Sequence, residues 1–132
     1  MAEEVLRTGP HNRMRVLEDT DESLLFEATW QPGSNVPPPH LHPTQAEDFE
    51  ILEGELEAIV DGEQRTLRAG DTLHLPAAAV HQMWNASDVP ARATWRVTPP
   101  QRTLELFRKL DSGDIPPDFL QRYASELRIA GG

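Results

Sequence analysis

From Arg13 to Thr98 the chain is cut every six to twelve residues by a turn signal, and no stretch between cuts is longer than a short strand. The cuts are the polar turn Asp19-Thr20-Asp21-Glu22, then Gln31-Pro32-Gly33, the stiff Pro37-Pro38-Pro39, and glycines at 54, 62 and 70. Asp61-Gly62 is a strong hairpin signal, because both residues tolerate the positive φ of a two-residue turn. Between the cuts, apolar and polar residues alternate at period two. Leu24, Phe26, Ala28 and Trp30 share one face; so do Phe49 and Ile51, with Glu47 beside them and Asp48 and Glu50 opposite. Eight or nine strands result: 13–17, 23–30, 47–53, 56–60, 64–68, 72–75, 80–85 and 91–98 are the clearest. That series is the pattern of an all-β sandwich or barrel.

After Pro99-Pro100 the period changes. Leu106, Phe107 and Leu110 form a helical stripe closed by Gly113. Pro116-Pro117 opens a second one, with Leu120, Tyr123, Ala124 and Leu127 at i, i+3, i+4, i+7. The reading is a single domain over 1–132: a barrel at about 13–98 and two short C-terminal α-helices at about 100–111 and 116–129.

Charge and cysteine content narrow the function. Twelve Lys+Arg against 22 Asp+Glu leave a net charge of −10, which disfavours nucleic acid and anionic membrane as partners. With no cysteine, disulfides, thiolate metal sites and a cysteine nucleophile drop out. The segment MAEEVLRTGP does not read as a signal peptide, and the uncharged stretch Thr72 to Ser87 is too short to span a bilayer. A cytoplasmic protein is expected.

His40 and His42 are two apart, so an extended chain aims both to one face. Taken alone they are as well explained as loop residues beside prolines. Glu47 shares the inward face of Phe49 and Ile51, and a buried carboxylate needs a partner such as a cation. His81 lies on a later strand. Three imidazoles and a carboxylate inside one barrel make an N and O donor set for a divalent transition metal ion, Fe, Mn, Ni, Zn or Cu. His11 and His74 stand outside this set, and Asn85 reads as a hydrogen-bonding strand residue. Gln45 is either an orienting residue or a loop residue; Trp84 and Trp95 read as core or interface. Phe49, Met83 and Arg96 are the candidate substrate-binding residues, with Arg96 suited to an acidic substrate.

At these residues the sequence resembles the cupin superfamily. Gly33, His40, Leu41, His42, Glu47 and Gly54 follow its first motif, and Gly70, Pro76, His81 and Asn85 its second. Two departures are visible: the gap from Gly33 to His40 is one residue longer than usual, and Ala78 stands where a glycine is usual. The resemblance implies a jelly-roll β-barrel, with His40, His42, Glu47 and His81 as metal ligands, and a homodimer paired through sheet faces and edges. It leaves the reaction open. A redox metal suits dioxygenase (oxidoreductase) chemistry of the quercetinase type, with Glu47 as base as well as ligand. Zinc suits isomerisation or hydrolysis on a small-molecule substrate. A non-enzymatic, ligand-binding or sensory cupin is the alternative. A second acid, base or cation facing the open coordination positions favours an enzyme. A purely apolar wall of Phe49, Ile51, Leu73, Leu75 and Met83 favours O₂ chemistry or simple binding.

Overall fold

The computed structural model describes residues 4–8 and 11–130. Eleven strands and two helices are present among them: β1 (Val5–Arg7), β2 (Asn12–Asp19), β3 (Leu24–Trp30), β4 (His40–Leu41), β5 (Ala46–Glu53), β6 (Glu55–Val60), β7 (Glu63–Arg68), β8 (Thr72–Leu75), β9 (His81–Trp84), β10 (Ala91–Thr98), α1 (Thr103–Ser112), α2 (Phe119–Arg122) and β11 (Arg128–Ile129). They form two antiparallel sheets, ordered β1-β2-β3-β10-β5-β8 and β11-β4-β9-β6-β7, which pack face to face as a jelly roll.

Alternation decides which side chains fill the space between the sheets. Along β3 every second residue, from Leu24 to Trp30, is buried, and β10 follows with Ala91, Ala93 and Val97. The registers Phe26↔Trp95 and Trp95↔Phe49 line three rings across adjacent strands. Phe49 and Trp95 stack at 5.6 Å between centroids, and Phe107 of α1 closes on Trp95 at 5.4 Å. Burying one such ring contributes about 2–3 kcal/mol. Gly54, with φ 77°, makes the tight β5–β6 turn; a Cβ there would lie 2.5 Å from the Pro90 carbonyl oxygen.

Three short strands, β1, β4 and β11, were not anticipated. They are two or three residues long and have too few residues to show a period. β1 lies on its own β2, and Glu4 grips Arg108 of α1 at 2.7 Å, so residues 4–7 are used within their own chain. The second helix is much shorter than expected: only Phe119–Arg122 is helical. Tyr123 is buried, but Leu120 is 50% exposed, so the expected apolar stripe is not one face. Trp30 and Trp95 face the interior. Among the described residues no helix is long and apolar enough to cross a membrane.

Candidate metal centre

The register His40↔His81 sets those two residues side by side on β4 and β9, with ring centroids 4.3 Å apart. His42, just past β4, completes the group; its centroid is 5.5 Å from that of His40 and 5.1 Å from that of His81. The three offer nitrogen atoms all within 4.8 Å of one another. Each Nδ1 is held by a backbone carbonyl: His40 by Pro38 (3.0 Å), His81 by Ala79 (3.0 Å) and His42 by Glu126 (2.7 Å). A carbonyl oxygen only accepts, so each Nδ1 carries the hydrogen and each neutral ring turns an Nε2 lone pair to the centre.

Glu47 meets those lone pairs. Its Oε1 is 3.0 Å from His42 Nε2 and 3.2 Å from His81 Nε2. The contact is not hydrogen-bonded in geometry: His42 Nε2 and Glu47 Oε2 are both buried without a hydrogen-bond partner. Acceptors facing acceptors repel unless a cation stands between them. Neighbouring donors on an octahedral ion, each about 2.1 Å from the metal, lie about 3.0 Å apart, which is the spacing found. The donor set therefore fits a divalent ion.

The electrostatics favour neutral rings at His40 and His81 but a proton at His42 when no ion is bound. Burial, helped by the nearby His81, pushes His40 down to about 4. Burial also lowers His81, partly offset by the charge of Glu47. At His42 burial pulls down, but the hydrogen-bonding reach and charge of Glu47 outweigh it and the group is raised. Glu47 is lowered, because His42, His81 and the Trp95 N–H together outweigh its burial. Trp95 Nε1, like Glu47 Oε2, completes no hydrogen bond of good geometry, yet it is near enough to favour the carboxylate.

The presenting loop is fixed by acceptors alone. Pro37 O accepts from Gln82 Nε2 (2.9 Å), Pro38 O from His40 Nδ1 (3.0 Å) and Pro39 O from the Ala130 amide (2.9 Å).

The four donors sit in a cavity of about 290 Å³, walled by Met14, Trp30, Phe49, Met83, Trp95 and Phe107 among others. No Lys or Arg is among the described residues lining it. Phe49 and Met83 line it as expected. Ile51, Leu73 and Leu75 do not; they are buried in the surrounding core. Arg96 is a correction: even-numbered residues of β10 face outward, and Arg96 binds Ser23 Oγ (2.6 Å) and Glu18 (3.3 Å), away from the histidines. His74 pairs with exposed Asp48 at 2.6 Å on that outer face. Buried Gln45 donates to Pro99 O, Pro100 O and Thr103 Oγ1 and so anchors the start of α1. Fully buried Asn85 ties Trp30 O and Val89 O to the amide of Ser87. Glu126 and the indole N–H of Trp95 are the site groups that sequence reasoning missed. Alternation with Ala91, Ala93 and Val97 along β10 was the signal that places Trp95 inside; nothing comparable marks Glu126.

Comparison with known proteins now decides the family: the family model described as Cupin domain matches residues 26–97. The chain belongs to the cupin family. The cupin is 35% identical over 72 residues to the curated "Polyketide synthase CurC" of Streptomyces cyaneus, a match covering 54% of this chain and 46% of the relative. It thus spans about half the length of that relative. Among solved structures, the cupin resembles KdgF from Halomonas sp. with a TM-score of 0.70 at 18% identity, over 76% of this chain and 90% of the other. It resembles the polyketide cyclase RemF from Streptomyces resistomycificus with a TM-score of 0.61 at 20% identity, over 67% of this chain and 66% of the other. At these identities the two structures speak to the fold alone.

Proposed function

We propose that this cupin holds one divalent transition metal ion on His40, His42, His81 and Glu47 and is a metal-dependent enzyme acting on a small, neutral, largely apolar carbonyl compound. The observation that carries this reading is the donor set itself: three Nε2 lone pairs and a carboxylate oxygen converge at one end of an aromatic cavity that no Lys or Arg among the described residues lines. Among the described residues no cationic side chain stands beside that ion to share the charge of a phosphate or a dicarboxylate, and Arg96 is engaged on the outer face, so a neutral ligand suits the cavity better. The polyketide chemistry in the name of CurC is in keeping with a neutral carbonyl substrate.

When bound, a divalent ion polarises a carbonyl oxygen as a Lewis acid. Glu47 Oε2, buried and without a hydrogen-bond partner, takes the proton from the carbon beside that carbonyl. The indole N–H of Trp95 favours the ionised carboxylate, and the Phe49–Trp95 stack gives a flat ligand an apolar surface that excludes water.

The test is deuterium exchange into 1-tetralone, followed by NMR on protein loaded with Zn²⁺ or Fe²⁺. Metal-dependent exchange that Glu47→Gln abolishes supports the reading. Stoichiometric metal with no exchange and no turnover overturns the enzyme and leaves the ligand-binding alternative. The apolar wall favours a second reading, a dioxygenase of the same substrates, for which O₂ uptake by the Fe²⁺-loaded protein is the discriminating measurement. We further infer a homodimer joined through a sheet edge. Light scattering should return about twice 14.8 kDa, and a mass near 14.8 kDa at all concentrations counts against it.

A further inference from the structure

Two of the three histidines are steadied from within their own loop: the carbonyls holding His40 and His81 lie two residues upstream of each. His42 is different. Its carbonyl comes from Glu126, 84 residues further along, at 2.7 Å. Glu126 is itself 4% exposed, and its carboxylate is met by Arg102 Nη2 at 2.9 Å. A buried carboxylate without that partner would be strongly unfavourable. Arg102, the residue before α1, also donates to Arg122 O (2.5 Å) and lies over the Tyr123 ring, 4.9 Å from its centroid. Tyr123 in turn donates to Glu105 of α1 at 2.6 Å. At the far end β11 pairs with β4, Ile129 opposite His40, and the Ala130 amide binds Pro39 O. The stretch from Phe119 to Ala130 is thus tied to α1 on one side and to the histidine strand on the other, while Leu127 and Ile129 line the cavity.

We propose that Arg102, acting through Glu126, is a positioning residue for the metal centre: the Arg102–Glu126 pair seats the C-terminal segment so that the Glu126 carbonyl fixes the tautomer and orientation of His42, which makes metal binding and the seating of this segment one linked equilibrium. The proposal rests on the reading of His40, His42 and His81 as metal ligands. Partners of ligand histidines govern affinity by about 10–100-fold, and linkage is reciprocal: whatever factor the seated segment adds to metal affinity, the metal adds to seating.

The test uses the full chain and Zn²⁺ alone. Zinc affinity is measured by competition with a chromophoric chelator, and hydrogen exchange of amides 119–130 is followed with and without zinc. Arg102→Met should weaken zinc binding about 10-fold or more and erase the slowly exchanging Nδ1–H resonance of His42. Arg102→Lys, which keeps the charge, should restore part of the loss. Glu126→Gln, which keeps the backbone carbonyl, should act in the same direction by a smaller factor. Arg122→Ala removes only the exposed pair with Asp118 and should leave affinity unchanged. Zinc should slow exchange across 119–130 in the wild type. Unchanged affinity in Arg102→Met and Glu126→Gln, with the His42 Nδ1–H signal retained, overturns the positioning role while leaving the metal centre standing. Failure of the wild type to bind zinc overturns both.

Discussion

The barrel wall and the C-terminal segment both reach the candidate metal centre, and they do so by different means. In the wall, His81 and Glu47 sit on regular strands, where a period of two and the register with neighbours decide which way each points. In the segment, one four-residue helix, one two-residue strand and a handful of side-chain contacts do the work. The wall supplies the donor atoms, and the segment governs how one of them is turned. A lesion in the first should abolish binding or folding outright, whereas a lesion in the second should grade affinity while the barrel stays intact.

The strongest way to break that comparison lies in the wall. His40→Ala, His42→Ala and His81→Ala should each strip most of the bound ion, by at least about 10–100-fold in affinity; elemental analysis showing stoichiometric metal in the triple variant would dismiss the site. Next comes the turn that closes β5 onto β6. Gly54→Ala introduces a Cβ against the Pro90 carbonyl and an alanine at φ 77°, for a loss of about 2–4 kcal/mol in urea denaturation. The C-terminal segment has no glycine turn so confined.

A smaller effect concerns pH in the metal-free protein. The imidazole of His40 is held down at about 4 when folded, from 6.5. The unfolded chain therefore binds the proton first, and stability should fall as pH drops from about 6.5 to 4, by at most about 1.4 kcal/mol per unit. His42, raised instead, works the other way: its contribution is present below 6.5 and is lost as pH rises through its folded value. His40→Gln should flatten the acid-side slope, and an unchanged slope would contradict the assignment. The smallest effect is a gain. Ala78 holds φ 69°, and Ala78→Gly should stabilise the chain by about 0.5–1 kcal/mol in the same denaturation assay, with metal affinity unchanged.

The difference between the two regions also explains what could be read from the chain. Glu47 was placed inward by its parity with Phe49 and Ile51, and it is buried as that parity requires. The four donors, the hairpin at Asp61-Gly62 and the strand series were likewise local patterns. Arg96 went astray although its strand alternates cleanly: Ala91, Ala93, Trp95 and Val97 share the inner face and Arg92, Thr94, Arg96 and Thr98 the outer one, so a period of two carried through β10 already turns Arg96 away from the cavity. The second helix was overextended because Pro116-Pro117 and a 3.6-residue spacing describe a helix well, but the chain turns after Arg122 to bring Glu126 to His42. No period encodes a contact that spans 84 residues.

Pro37, Pro38 and Pro39 present three carbonyls, each engaged, and no amide hydrogen. A run of this kind has few conformations to give up when the chain folds, since its φ angles are locked in every state of the chain. If each proline spares the loop about 0.4–1 kcal/mol of conformational entropy, three together spare about 1–3 kcal/mol. At about 1.4 kcal/mol per factor of ten, that is between several-fold and a hundredfold in the ratio of folded to unfolded chain, obtained without any of the three side chains making a hydrogen bond.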